Sequence, residues 1–376
     1  MVVEWFDRLL GNFAVAASSG RRAQKEEKDD MSSNGEQRMA GATYVYVSNS
    51  ESEDISVFRI DDEAGVLAAA QTVPVGGKVM PMALSPDRRR LYAALRSQPW
   101  CVVSFAIDPL DGRLTELGRA PLAASMAYIA TDAAGRYLLG ASYGDNLLAV
   151  NRIGNDGVVG DVQQIVGTGP NAHAIRTSAD NRFAFTALLG ADQLLRLDFD
   201  ASTGQLAERA TPAWTLPAGS GPRHFVFSAD ERFVYLLDEL DGKLHALTFD
   251  RAHGAVEPMQ SVSILPPDFH GDQPWGADLH LTPDGRFLYA SERRSSTLAA
   301  FRVDAATGQL ARIGTWDAPR QPRGFNIDPS GRYLFAVGEL SPAMSVYRID
   351  AQTGALRETG QYAVGKGANW VEVVRC

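Results

Sequence analysis

Cysteine is nearly absent from this chain, with Cys101 and Cys376 the only two among 376 residues. Two thiols make neither a disulfide framework nor a thiolate zinc site, and they suit a reducing compartment. Long apolar runs are missing too: no stretch of 18 apolar residues occurs, so no transmembrane helix is expected. Positive charge is in the minority, 36 Lys and Arg against 45 Asp and Glu, for a formal net charge of −9. That balance argues against general binding to nucleic acid or to an anionic membrane, both of which need a basic surface. The short signatures of several enzyme classes are also absent. Without G-x-S-x-G, H-E-x-x-H, a Walker A loop or G-x-G-x-x-G, the chain gives no support to nucleophile-elbow esterases, zincins, nucleotide hydrolases or Rossmann enzymes.

Glycine and proline are plentiful at 35 and 19, and 45% hydrophobic residues with 22% charged suit a turn-rich globular β fold. The first 42 residues differ from the rest. Met1 to Ala17 is mildly amphipathic and ends in AVAA, but Glu4, Asp7 and the Gly11-Asn12 interruption depart from a secretory leader. RRAQKEEKDDMSSNGEQ is polar and aromatic-free, so residues 1–42 read as a disordered extension and 43–376 as the folded domain.

That domain repeats itself seven times. An aromatic or apolar strand end with an acidic residue, followed by Gly-x-apolar, reads FRID and GVL at Phe58 and Gly65, FAID and GRL at Phe105 and Gly112, and FRVD and GQL at Phe301 and Gly308. Successive copies lie 47, 45, 47, 50, 54 and 46 residues apart, the length of one four-stranded propeller blade. A hairpin turn such as SPDRRRLY, SADNRFAF or TPDGRFLY precedes the marker in six copies. The fold begins at a strand that should follow such a turn, TYVYVSNS from Thr43, and ends at one that should precede it, NWVEVVR from Asn369. The expectation is an all-β, seven-bladed propeller whose N-terminal and C-terminal strands pair to close the ring.

In each blade the innermost strand A and strand B form a hairpin, so the start of A and the end of B lie together at one mouth of the central channel. Counting from the turns puts Met80, Ala127, His173, Arg223, Ala277, Arg323 and Asn369 at the starts, and Ser50, Arg96, Tyr143, Leu189, Glu239, Arg293 and Glu339 at the ends. Six of these fourteen are charged and four are Arg, a cluster suited to a small anionic ligand. Two steps deeper along A the column is apolar (Met82, Ile129, Ile175, Phe225, Leu279, Phe325 and Val371), which reads as the floor of a pocket. His173 and Glu239 are candidate general bases toward a water, and Arg223 or Arg293 a holder of a developing oxyanion. Neighbouring Arg would lower the Glu239 pKa and favour an ion-pair role. His245 and His253 are expected at the surface, His224 and His280 on inner strands, and His270 in the longest insertion, PPDFHGDQPWG.

The segments GPRHFVFSADERFVYLLDEL, PWGADLHLTPDGRFLYASERR, QPRGFNIDPSGRYLF and YAVGKGANWVEV resemble the propeller-type bacterial 6-phosphogluconolactonases, a family similar in turn to fungal carboxymuconate lactonizing enzymes. The resemblance covers about residues 43 to 375. It implies hydrolysis of 6-phospho-D-glucono-1,5-lactone to 6-phosphogluconate in the cytosol, with no metal or other cofactor. By motif it assigns catalysis to His173, Arg223, Glu239 and Arg293, and Arg96, Tyr143, Arg323, Glu339 and Asn369 become candidate substrate-binding residues. Ser291 and Glu292 depart from the Cys-Asp or Ser-Asp expected before the Arg. The expected partner is a small anionic sugar lactone, with no nucleic acid and no membrane, and the protein a monomer or weak homo-oligomer. Rival readings are a lyase or isomerase that opens or closes a lactone without water, a protein-binding propeller, and a metal-dependent sugar lactonase.

Overall fold

The computed structural model describes residues 41–208, 212–270 and 272–376, so the expected N-terminal extension lies outside the described residues up to residue 40. From Thr43 onward the chain forms seven antiparallel sheets, each with strands in sequence order from the channel outward. The exception is the sheet that starts with the last strand: Ala368–Arg375 pairs with Thr43–Asn49, and this sheet, blade 1, built from both ends of the fold, closes the ring. Blades 2 to 7 begin with inner strands Val79–Leu84, Tyr128–Thr131, Ala172–Thr177, Pro222–Phe227, Gly276–Leu281 and Pro322–Ile327. In blade 4 two segments, Gln205–Glu208 and Trp214–Thr215, share the outer edge. Among the described residues no helix is long and apolar enough to cross a membrane.

The core lies between blades. Val226, Tyr235 and Leu237 of blade 5 pack with Leu279, Leu288 and Phe301 of blade 6, and each of the other described clusters likewise joins two neighbouring blades. Burying apolar surface at roughly 25 cal/mol per Å² makes these seams the main favourable term. The repeat marker has its cause here. Gly308 is left-handed at φ +71°, and a Cβ on it would lie 2.4 Å from the Phe233 ring of the preceding blade. Tyr235 then donates its hydroxyl to the Gly308 carbonyl at 3.1 Å. The marker glycine is therefore the floor on which the aromatic after the hairpin turn rests.

His245 corrects a sequence expectation. It is buried, with Nε2 2.6 Å from Asp238 Oδ2 and Nδ1 2.7 Å from the Ser261 hydroxyl. Trp214 covers it edge-on with ring centroids 5.0 Å apart. Strand C is flanked on both edges, so an inward-facing polar residue there needs partners from its neighbours. His253 is exposed, paired with Asp250 at 2.7 Å.

Gly285 is also left-handed, at φ +69°, but a Cβ there meets nothing within 4 Å. Gly285→Ala should cost only the backbone term, about 1–2 kcal/mol, and Gly308→Ala clearly more, measured by urea unfolding. Equal losses would mean that the ring on Gly308 contributes nothing.

Candidate active site

A defect repeated along the inner strands builds the mouth. In blade 5 Pro222 pairs with Asp238 and His224 with Leu237, leaving Arg223 as the extra residue of a β-bulge. His173, Arg323 and Asn369 are extra residues in the same way in blades 4, 7 and 1, and blades 2 and 6 shift register at the same level. A bulge breaks the alternation of a strand and re-aims a side chain, so two consecutive residues can serve the channel. The other half of the mouth comes from the residue just beyond strand B, whose N–H closes the hairpin outside the bulge. Glu239 donates to Gly221 O at 2.7 Å, Arg293 to Trp275 O at 3.0 Å, Glu339 to Gln321 O at 3.0 Å and Arg96 to Lys78 O at 2.8 Å.

Two buried arginines meet on one carboxylate. Glu239 Oε2 accepts Arg223 Nε at 2.8 Å and lies 2.9 Å from Arg293 Nη2, while Oε1 accepts the Trp275 indole N–H at 3.1 Å. The Arg293 guanidinium stacks 3.9 Å from the Trp275 ring centroid, a cation–π contact. Arg223 also donates to the carbonyl of Ala277 in the next blade. That approach needs Gly276, where a Cβ would sit 2.4 Å from the Asp238 carbonyl oxygen. Burial opposes the Glu239 charge, but Arg223, Arg293, Arg323 and the Trp275 N–H outweigh it and hold its pKa below the usual glutamate value. Burial pushes Arg223 down to about 10 and Arg293 down to about 9, so both stay charged at neutral pH.

His173 is buried, and its Nδ1 has no hydrogen-bond partner among the described residues. Burial, then the charges of Arg223, His224, Arg323 and Arg293, push it well below the ordinary histidine value, so the imidazole is neutral. Tyr143 stands edge-on to it with centroids 5.9 Å apart and is the most open of the group, at 36% exposure. Arg323 lies 3.5 Å from Glu339, which also accepts from Gln321 at 2.8 Å. Arg96 donates to Ser125 Oγ at 2.9 Å, and burial together with the charge of Arg323 lowers its pKa.

Asn369 has another task. Its amide donates to Gly367 O at 2.8 Å and Val79 O at 3.3 Å and accepts from Ser48 Oγ at 3.1 Å, so every polar atom it has is spent on closing the ring.

The apolar column from Met82 to Val371 does not floor the pocket. Ile129, Ile175, Phe225, Leu279, Phe325 and Val371 turn into the seams between blades. The channel wall is the alternate column, which includes Tyr128, His224, Asp278 and Trp370, and it is polar. Three residues of this region escape counting from turns. Trp275 ends the long insertion, and its PWG segment was the available signal. His224 and Asp278 stand behind Arg223: His224 Nδ1 is 2.9 Å from Asp278 Oδ1, and Nε2 is 3.2 Å from Arg223 Nη1. Burial brings His224 down to about 3, so it is neutral. Its Nδ1–H donates to Asp278, and its Nε2 accepts from Arg223. Asp278 is kept ionised, its burial outweighed by His280 and His224. Glu292, the departure noted before Arg293, accepts the Trp275 backbone N–H at 2.6 Å and so helps seat that indole. Among the described residues no group of three or more His, Cys, Asp or Glu is placed to hold a metal ion.

Residues 42–373 match the family model described as Lactonase, 7-bladed beta-propeller. A 6-phosphogluconolactonase of Serratia proteamaculans is 40% identical over 332 residues, covering 88% of this chain and 98% of the relative. One from Pectobacterium carotovorum is 39% identical over 331 residues, with the same coverage of 88% and 98%. Among solved structures, a periplasmic gluconolactonase of Pseudomonas aeruginosa superposes with a TM-score of 0.81 at 27% identity, covering 89% of this chain and 99% of that one.

Glu239→Gln removes the charge that two buried guanidinium groups share and should cost about 3–5 kcal/mol in urea unfolding at neutral pH. The folded pKa of Glu239 is depressed, so its stabilisation is present above the unfolded value and is lost as pH falls through the folded one. The gap between wild type and variant should therefore close on acidification, and a constant gap would contradict the assignment.

Proposed function

The chain belongs to the lactonase family of seven-bladed β-propellers, and from that premise we propose that it hydrolyses 6-phospho-D-glucono-1,5-lactone to 6-phosphogluconate, a step of the pentose phosphate pathway. The observation that carries the choice of substrate is the excess of guanidinium at the mouth. Among the described residues Arg96, Arg223, Arg293 and Arg323 outnumber the carboxylates set against them, Glu239 and Glu339 at the mouth and Asp278 behind Arg223, and a phosphorylated lactone supplies further negative charge. The reading sets the reaction in the cytoplasm, in keeping with the free thiols Cys101 and Cys376, and in a monomer or weak homo-oligomer.

In the proposed reaction a water attacks the lactone carbonyl carbon while the unpartnered ring nitrogen of His173 takes its proton. The carbonyl electron pair moves onto oxygen, where Arg223 and Arg293 stabilise the tetrahedral oxyanion. Collapse breaks the bond to the ring oxygen, which receives the proton back from His173, and the new carboxylic acid gives its remaining proton to solvent and leaves as the carboxylate. Arg323 and Arg96 hold the phosphate, and Tyr143 and Glu339 meet the sugar hydroxyls. Burial first and then the neighbouring cations depress His173, and substrate phosphate offsets the second of these. Glu239, clamped and ionised, holds the two arginines in place and is the weaker candidate for base.

Turnover in water enriched in oxygen-18 should place one label in the product carboxylate, and an unlabelled product would mean a lyase or isomerase. His173→Ala should lower kcat by about 10²–10⁴. Because burial and neighbouring cations depress His173, the acid limb of kcat/KM should lie below the ordinary histidine value, and a limb above it would remove His173 as the base.

A further inference from the structure

Side chains from three non-adjacent blades meet across the channel: Tyr128 of blade 3, His224 of blade 5 and Trp370 of blade 1. Ring centroids are 5.1 Å apart for Tyr128 and His224, 5.4 Å for Tyr128 and Trp370, and 6.0 Å for His224 and Trp370. On one side of this partition stands His173, 5.1 Å from His224, with the catalytic mouth. On the other, toward the A–B turns, lies a polar cavity of about 240 Å³ lined by Arg88, Arg176, Asp278, His280 and Glu372 among others. A recess of about 290 Å³ adjoins it and shares Arg88, Arg176 and Glu372.

Arg88 is costly where it stands. It occupies the left-handed position of its A–B turn at φ 60°, where blades 3, 6 and 7 use Gly135, Gly285 and Gly331. Two other blades carry side chains there, and each has a structural task. Asn181 bonds Asp132 and the Ala133 N–H of the preceding blade, and Glu231 accepts the Ala179 N–H and pairs with Arg251. Arg88 has no such contact; its side chain goes to the channel cavity. Arg176 lines the same space, and neither guanidinium has a hydrogen bond or ion pair with any described residue. Glu372 accepts the Trp370 indole N–H through Oε1 at 3.0 Å, which anchors the partition and leaves Oε2 for another donor.

We propose that this turn-side cavity is a second ligand site, built for a small polyhydroxylated phosphate. Arg88 and Arg176 take the dianionic group, which suits two guanidinium forks that share the single Glu372 carboxylate at longer range and bond none. Glu372 and His280 take hydroxyl groups, a carboxylate accepting from them and an imidazole nitrogen exchanging with them. The site is separate from the catalytic mouth but joined to it, since Asp278 borders the cavity and reaches Arg223 through His224.

The test is calorimetric titration of the full chain with 6-phosphogluconate, with inorganic phosphate as a second probe. Wild type should bind one equivalent more 6-phosphogluconate than the Arg88→Gly/Arg176→Ala variant, while phosphate alone binds the same site at least about tenfold more weakly. Glycine is the residue of three other blades at the Arg88 position, so Arg88→Gly should melt no lower than wild type. The double variant should keep wild-type kcat/KM on the lactone. An unchanged number of equivalents in the double variant, or no binding to wild type, overturns the proposal, and neither result depends on whether the lactone is turned over.

Discussion

Everything at the channel depends on one backbone pairing between the two ends of the fold. Thr43–Asn49 lies antiparallel to Ala368–Arg375, and only that pairing supplies blade 1 with an inner strand. The apolar clusters all lie in seams between blades, so an open ring would leave a seam unburied on each side of the gap. Closure joins Val45 and Val47 to Val371 and to Tyr333 and Val337 of blade 7. Asn369 then ties Ser48, Val79 and Gly367 together at the mouth, so the seal and the rim are made of the same residues.

A closed ring brings seven strand starts to one circle, and the bulges determine what they present there. His173, Arg223 and Arg323 are each the residue that strand pairing leaves over. Freed from the alternation, Arg223 and Arg323 turn like charges toward one another beside the neutral His173, and Glu239 makes that tolerable. Its carboxylate takes one bond from each of two buried arginines, while Trp275 fills its other oxygen and stacks on one of them. Asp278 does the same one layer deeper through neutral His224. His224 thus has two tasks: it holds Arg223 and forms part of the aromatic wall that divides the channel.

The blades were legible in the sequence because each mark in the repeat has a local physical cause. A left-handed glycine under a neighbour's ring and a hairpin turn before an aromatic strand cannot move without breaking a seam, so they recur at fixed spacing. The rim residues were legible by counting from those turns. Counting assumed regular strands, however, and so took the column that runs to Val371 for a pocket floor when all of it but Met82 packs into the seams. It also left out Trp275, which belongs to an insertion with no counterpart in other blades, and it put His245 at the surface although Asp238 and Ser261 enclose it.

Sequence alone determined the number of blades, the closing strands and the concentration of arginine at one mouth, since all three follow from periodic, near-neighbour constraints. Tertiary structure alone decided which charges pair, that Asn369 serves closure, that His173 keeps a bare ring nitrogen, and that the channel is divided in two. Those outcomes depend on side chains from blades far apart in the chain meeting within a few ångströms, and on bulges that no regular alternation foretells.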